Sequence, residues 1–214
     1  MVRALAVSDE EIAALPGEAA RLGVDIVIGA GDLPYHYLAA LADSTDRPGV
    51  LVPGNHDPDI SGYAQRAGLW TRAGQPSQWP GPAGFTDADG DVVDVAGLRF
   101  AGLGGSVHYN DGPNQWTQGQ QRRRARRVMR IARRRTRRDG RPVDVLLTHA
   151  PPRHCGDRAD GPHHGFECLH HVVSVLRPRL LIHGHIHPYG EAVPDRLLGE
   201  TRVVNVVGHR LLEL

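Results

Sequence analysis

The sequence predicts an α/β protein built around a parallel β-sheet. In the first 52 residues, short apolar segments alternate with helical segments in the order βαβαβ. Strands that are connected through a helix run parallel, and such crossovers are right-handed. Several predicted strands also end in glycine or polar residues, and in open α/β folds ligands bind at the carboxyl ends of the strands. We therefore expect a ligand site at one edge of the sheet.

The first part of the chain gives the clearest pattern. Strands are predicted at residues 2–7, 25–29 and 50–52, where β-branched residues are frequent. Helices are predicted at residues 10–22 and 35–42, the first one interrupted at Pro16-Gly17. Residues 61–88 are rich in Gly, Pro and Gln and show weak periodicity, so we expect loops and one short helix there.

The second part continues the alternation. A hairpin is predicted around Ala96-Gly97, from strands at 91–95 and 98–103. The remaining predictions are helices at 114–138 and 166–176 and strands at 143–147, 180–183, 202–207 and 210–214. No repeat or linker indicates a boundary, so residues 1–214 are expected to form a single domain.

Composition indicates a soluble globular protein. The hydrophobic fraction is 40%, the charged fraction is 23% and the net charge is +1, so the whole molecule gives no argument for a polyanionic partner. No segment approaches the 18 or more continuous apolar residues of a membrane span, and the N-terminus lacks a signal-peptide pattern. These features predict a cytoplasmic protein without a membrane partner. Cys155 and Cys168 are then expected to be free thiols.

Residues able to bind metal follow several of the predicted strands. They are Asp9, Asp32, Asn55, His56, Asp57, His149, His185 and His187. Carboxylate, amide and imidazole groups together form the mixed ligand set that divalent transition metals use. A His-x-His pair on an extended segment points both rings to one face, because side chains alternate with period two. Two metal ions about 3.5–4 Å apart are a recurring arrangement for hydrolysis of phosphate esters.

The residues stand in an order that resembles a known family. The set is Asp9, Gly31-Asp32, Gly54-Asn55-His56-Asp57, His149 and Gly184-His185-Ile186-His187. It is similar to the signature of calcineurin-like metallophosphoesterases, and it extends from residue 9 to residue 187. The resemblance implies a four-layer α/β/β/α sandwich of two mixed β-sheets flanked by helices.

The resemblance also implies a centre of two divalent metal ions. One ion would be bound by Asp9 and His187 and the other by Asn55, His149 and His185, with Asp32 bridging both. A metal-bound hydroxide would attack a small phosphomonoester or phosphodiester. His56 would act as general acid or phosphate stabiliser, with Asp57 orienting its ring, and Asn55 and His56 would contact the substrate.

The first motif departs from the family pattern. The family has Asp-x-His, whereas this chain has Asp9-Glu10-Glu11, so Glu11 stands where the histidine is expected. Either the Glu11 carboxylate replaces the imidazole as a ligand, or the first metal loses one protein ligand and is weakly occupied. An added carboxylate favours Mn²⁺ over Zn²⁺; Fe, Zn, Mg and Ni are the alternatives to Mn.

Two further segments carry alternatives. Eleven of the seventeen residues 122–138 are Arg, which indicates either a solvated helix face or a nucleic-acid or acidic-protein surface. The solvated face is favoured, because no aromatic residue is interleaved to stack bases. Residues 154–171 are rich in His and Cys, but Cys155 and Cys168 are too far apart for a structural zinc motif. His164 in this segment is either a substrate contact or an ordinary surface residue.

Two functional classes follow from the sequence. The first is a metal-dependent phosphoesterase with a small phosphorylated substrate. The second is a non-catalytic or weakly active one-metal member of the fold that binds nucleic acid or protein through residues 122–138. The sequence favours the enzyme, since a pure binding protein has no need to keep Asn55, His56, His185 and His187 together.

Overall fold

The structure is a computed structural model that describes residues 1–66, 69–190 and 193–214. The strands are β1 (Arg3–Ser8), β2 (Ile26–Gly29), β3 (Gly49–Leu51), β4 (Tyr63–Arg66), β5 (Leu69–Arg72), β6 (Gln75–Ser77), β7 (Phe85–Asp87), β8 (Val92–Val95), β9 (Leu98–Leu103), β10 (Ser106–Val107), β11 (Gln115–Trp116), β12 (Val145–Thr148), β13 (Leu180–His183), β14 (Arg196–Leu198), β15 (Thr201–Asn205) and β16 (Gly208–Glu213). The helices are α1 (Leu15–Ala19), which continues as a 3-10 turn (Ala20–Leu22), α2 (Tyr35–Thr45), α3 (Gln118–Asp139) and α4 (Cys168–Leu176).

Two mixed sheets form the centre of the fold. The first has the order β16-β1-β2-β3-β7, in which only β16 runs antiparallel to its neighbour. The second has the order β14-β15-β13-β12-β9-β8, with antiparallel strands at both edges of a parallel centre. Consecutive strands β15 and β16 lie in different sheets, so the end of the chain connects the two. Short sheets β4-β5-β6 and β10-β11 lie outside this centre.

The sheets pack face to face, and helices cover their outer faces. Side chains alternate along β1: Ala4 and Ala6 pack with residues of the second sheet, while Leu5 and Val7 pack with residues of α1 and α2. On the other side, α3 and α4 pack on the second sheet through their buried apolar residues. Four layers result, which confirms the predicted sandwich. Because the central strands are buried on both faces, they appear in the sequence as continuous apolar segments.

The structure differs from the sequence prediction in three segments. The helix predicted over 114–138 begins only at Gln118, because Thr117 caps it and Gln115–Trp116 form β11. Residues 10–14 are not helical: α1 begins at Leu15, because Pro16 fits only the first turn of a helix. Residues 61–88 were predicted as loops and one short helix; loops are present, but the described residues there include no helix. The described residues there form β4, β5, β6 and β7, whereas residues 67 and 68 lie outside the described part. These strands are short, and the side chains of β5 and β6 are exposed or half-buried, so no hydrophobic period marks them.

The hairpin predicted around Ala96-Gly97 is confirmed as β8 and β9. Both turn residues have positive φ, 48° and 79°, as a two-residue hairpin turn of this kind requires. Within the described residues, the helices are all too short or too polar to cross a bilayer.

Candidate metal centre

Four side chains from both sheets converge at one edge of the sandwich. Asp9, Asp32, His149 and His185 each offer one ligand atom, and these atoms all lie within 4.8 Å of one another. Asp9 and His149 directly follow β1 and β12, while Asp32 and His185 lie in the turns after β2 and β13. The four strands are parallel within their sheets, so their carboxyl ends reach the same edge.

The backbone at three of these positions is unusual. Asp9, Asp32 and His185 have φ values of 61°, 57° and 65°, in the left-handed region that side chains other than glycine rarely occupy. Such conformations persist only where the surroundings fix them, and they are concentrated at functional sites. Here each one turns the chain sharply after a strand and directs a ligand atom into the cluster.

Two glycines of the motifs make the close approach feasible. A Cβ atom at Gly54 would overlap the Asp32 carboxylate, and one at Gly184 would overlap the side chains of Ser8 and Asp9. The glycines in Gly54-Asn55 and Gly184-His185 are therefore required by space at the site.

The two buried imidazoles present lone pairs to each other. His149 Nδ1 lies 2.8 Å from the Ala30 carbonyl, and His185 Nε2 lies 2.9 Å from the Pro162 carbonyl, so each of these nitrogens carries the proton when the rings are neutral. The remaining nitrogens, His149 Nε2 and His185 Nδ1, then both face one another as acceptors at 3.1 Å. This is the arrangement of metal-binding histidines, whose second nitrogen donates to a backbone carbonyl.

Two oxygen acceptors also lie close to His149 Nε2. Asn55 Oδ1 lies 3.2 Å and Asp32 Oδ2 lies 3.3 Å from His149 Nε2. The Asn55 amide donates its hydrogen to the Tyr109 hydroxyl at 3.1 Å, which turns its oxygen toward the cluster. Two nitrogens and two oxygens, all acceptors, thus meet with no donor between them when the rings are neutral. The donor set fits a divalent cation.

The pKa values of the clustered residues reflect this crowding. Burial disfavours the charged form of His149, but the Asp32 and Asp9 carboxylates outweigh burial and raise its pKa to about 10. Burial would raise the pKa of Asp32, yet His149 outweighs it and lowers that pKa to about 2. Burial, assisted by His149, lowers the pKa of His185 to about 3, and burial raises the pKa of Asp9. A proton on His149 thus supplies the positive charge that the site needs.

His187 lies at the rim of the cluster. Its Nε2 is 3.8 Å from Asp9 Oδ1, and its Nδ1 is 3.1 Å from Glu10 Oε1. Glu11, which was predicted as a ligand, is exposed, and its carboxylate makes no hydrogen bond or ion pair with the described residues. The residue that reaches the site from this motif is therefore Glu10, because residues 10–14 form a loop instead of a helix.

In the segment after β3, the side chains of His56 and Asp57 have different surroundings. The His56 backbone N–H donates to Asp32 Oδ1 at 2.8 Å, and the exposed imidazole is close enough to Asp32 to help lower the pKa of that carboxyl. Asp57 was expected to orient the His56 ring. Instead its Oδ2 accepts from the backbone N–H groups of Gly54 and Asp32, at 2.7 and 2.8 Å. In the described residues no hydrogen bond joins Asp57 to His56, so Asp57 shapes the loop.

The segment after β12 brings an unexpected histidine to the site. The ring of His163 lies 5.3 Å from that of His185, whereas His164 Nε2 is bonded to the Ala159 carbonyl at 2.8 Å. The sequence predicted His164 to be either a substrate contact or an ordinary surface residue and did not indicate His163; only the conformation of the loop distinguishes the two neighbours. Asn114 was missed as well: its amide donates to the Gly54 and Asp57 carbonyls at 3.0 and 2.9 Å and supports the loop.

Cys155 and Cys168 form no second metal site. Both thiols are buried and free, as predicted. Among the residues that the structure describes, the cluster at Asp9, Asp32, His149 and His185 is the one group of three or more such ligands close enough to hold an ion.

Comparison with known proteins assigns the family. A model of the calcineurin-like phosphoesterase family matches residues 8–189. The solved structure of TT1561 of Thermus thermophilus is 17% identical with a TM-score of 0.63, and the match covers 97% of this chain and 89% of that one. A second solved structure is 14% identical with a TM-score of 0.60, over 99% of this chain and 98% of its own. No curated protein matches the chain. The two structures support the fold, and the family model spans most of the sequence. The chain therefore belongs to the calcineurin-like phosphoesterase family.

Proposed function

We propose that the protein hydrolyses a small phosphomonoester or phosphodiester with the help of two divalent metal ions. The observation that carries the proposal is the convergence of three acceptor atoms on His149 Nε2: His185 Nδ1 at 3.1 Å, Asn55 Oδ1 at 3.2 Å and Asp32 Oδ2 at 3.3 Å. With neutral imidazoles these buried acceptors meet without a donor, an unfavourable arrangement that positive charge relieves, supplied either by a proton on His149 or by a bound metal ion.

The residues divide into two sets. His149, His185 and Asn55 would hold one ion, Asp9 and His187 would hold the other, and Asp32 would contribute to both. The first-motif site has fewer protein ligands, since Glu11 is turned to solvent, so we expect it to bind its ion more weakly. Its oxygen-rich character favours Mn²⁺.

Bound ions would supply an activated water molecule and neutralise phosphoryl charge. The chain itself provides the remaining functions. The exposed His56 stands beside Asp32 with its imidazole accessible to a substrate, so it would donate a proton to the leaving oxygen or stabilise phosphate charge. Asn55, held by Tyr109, would contact the phosphate. A cytoplasmic setting is part of the proposal, supported by two buried thiols without a disulfide.

The experiment is hydrolysis of nitrophenyl phosphate and bis-nitrophenyl phosphate with added Mn²⁺. We expect His56→Ala to lower kcat by about 10²–10⁴, the usual contribution of a general acid. His36→Ala is the matched control, because His36 is exposed on α2, outside the cluster.

Equal rates for wild type, His56→Ala and His36→Ala would contradict the role of His56. Wild type that binds Mn²⁺ but hydrolyses neither ester would contradict the phosphoesterase proposal and favour the non-catalytic alternative.

A further inference from the structure

Seven arginines on α3 form a basic face. They are Arg123, Arg126, Arg127, Arg130, Arg133, Arg134 and Arg137, all exposed. None forms an ion pair with an acidic residue in the described part of the chain. The other four arginines of the 122–138 segment do form such pairs, namely Arg122 with Glu167, Arg124 with Asp89, Arg135 with Asp94 and Arg138 with Asp139. The basic face is thus the part of the helix without internal neutralisation.

Helix geometry concentrates these charges. At 100° per residue the seven positions fall within an arc of about 120°, and at 1.5 Å per residue they extend over about 21 Å. Between residues 123 and 137 every position on this arc is Arg. The opposite side carries the buried residues Ala125, Val128, Met129 and Ala132, which pack on the second sheet. The basic face therefore points directly away from the protein.

The fold does not depend on these arginines. Helix α3 begins with a capping box between Thr117 and Gln120, and its apolar stripe anchors it to the sheet. Near its end, Asp139 accepts two hydrogen bonds from the buried Arg99 guanidinium, at 3.0 and 2.8 Å. Like charges three or four positions apart on a helix are destabilising. The basic face thus lowers the stability of the helix, and no ion pair within the described residues offsets this cost.

The low net charge of the protein conceals a strong asymmetry. The 122–138 segment contains eleven arginines and no acidic residue, whereas the rest of the chain contains fourteen basic and all 24 acidic residues. The remainder has a formal charge of −10. A polyanion approaching this molecule would be attracted to α3 and repelled elsewhere, which would orient it on the basic face.

We infer that the basic face binds the phosphate backbone of duplex nucleic acid without sequence preference. Guanidinium groups bind phosphate in a bidentate manner, and a straight row about 21 Å long matches the extended charge of a duplex. Single strands need aromatic platforms for their bases, and the face has none. Insertion into a membrane surface needs exposed apolar residues, which the face also lacks. The inference is independent of the proposed hydrolytic function.

Binding is tested by fluorescence anisotropy with labelled 20-base-pair DNA and RNA duplexes between 50 and 200 mM KCl. We expect contact with about five phosphates, which gives a slope of log K against log salt of about −4 to −5 for DNA. The variant Arg126→Gln/Arg130→Gln/Arg134→Gln should lose at least tenfold in affinity, with a slope reduced in magnitude by about 2–3. The matched control is Arg21→Gln/Arg47→Gln/Arg179→Gln, which removes the same charge from exposed positions elsewhere and should bind as wild type.

Several results would overturn the inference. One is an unchanged affinity in the helix variant, with circular dichroism showing that it is folded. Another is equal loss in the control variant, which would indicate net charge alone. Tighter binding to a single strand of the same length, or to phosphatidylserine vesicles than to either duplex, would assign the basic face to a different partner. A second helix variant, Arg123→Gln/Arg133→Gln/Arg137→Gln, repeats the test if the first does not fold.

Discussion

Glu10, and not Glu11, is expected to support metal binding at the first motif. The Glu10 carboxylate lies 3.1 Å from His187 Nδ1, and the opposite nitrogen of the ring faces Asp9. A carboxylate in this position keeps the proton on Nδ1 and the lone pair on Nε2, where a metal ligand needs it. Replacing Glu10 by alanine leaves the His187 ring free to rotate and to change tautomer, so the affinity of the first ion should fall.

The exposure of the Glu10 and His187 side chains determines how far the metal affinity should fall. A hydrogen bond to a charged group contributes about 1.5–3 kcal/mol when it is well formed, but an exposed ion pair contributes about 0.2–1 kcal/mol. The side chains of His187 and Glu10 are 35% and 53% exposed. We therefore expect about 1 kcal/mol, which is about a fivefold rise in Kd. Glu10→Gln retains an acceptor for Nδ1 and should lose about twofold.

Calorimetric titration of chelator-treated protein with Mn²⁺ measures this change, and it needs no substrate. Glu11→Ala is the matched control, because it removes an adjacent carboxylate that is exposed. The second ion, at His149 and His185, should keep its affinity in every variant. A larger loss in Glu11→Ala than in Glu10→Ala would refute the reasoning. Equal losses in Glu10→Ala and Glu10→Gln would indicate that Glu10 binds the metal directly.

Three further predictions concern protons and loop stability. Burial and the neighbouring Asp89 raise the pKa of Asp87 to about 7. The stability that protonated Asp87 contributes is therefore fully present below pH 4 and is lost as the pH rises through 7. The difference in pKa between the folded and unfolded states corresponds to about 4 kcal/mol, and we expect about half of this energy because Asp87 borders an open cleft. Asp87→Asn should therefore raise the free energy of unfolding by about 2 kcal/mol at pH 8 and leave it unchanged at pH 4. Urea denaturation at the two pH values measures the change. Because the pKa of His149 is raised to about 10, binding of the Mn²⁺ ion held by His149 at pH 8 should release about one proton and should tighten as the pH rises. Calorimetry in buffers of different ionisation enthalpy measures the release, and no release would contradict His149 as a ligand. Asp57→Ala leaves the Gly54 and Asp32 N–H groups without their acceptor and should lower the free energy of unfolding by about 2–4 kcal/mol, whereas the exposed Asp43→Ala should change it little.

The strand ends and the candidate metal ligands that follow them could be predicted from the sequence. Buried central strands read as short apolar segments, and polar residues directly after them must gather at one edge of a parallel sheet. Gly54 and Gly184 carry additional information, because each one stands where a side chain would overlap a ligand. The four clustered residues are therefore predictable from the sequence.

The conformations of the loops could not be predicted from the sequence. Whether Glu10 or Glu11 faces His187 depends on the conformation of residues 10–14, and Pro16 moves the helix start beyond them. The same limit explains His163 and His164, which are neighbours on a loop without periodicity. The role of Asp57 was misassigned because its partners are backbone N–H groups, which leave no signal in the sequence.

Crystals soaked in Mn²⁺ and measured at the manganese absorption edge test the metal centre most directly. An anomalous peak roughly 2.0–2.2 Å from both His149 Nε2 and His185 Nδ1, with Asn55 Oδ1 and Asp32 Oδ2 also bound, is the expected result. A map in which no peak lies between these atoms, or in which the only peaks lie away from them, would contradict the assignment of this cluster as a cation site.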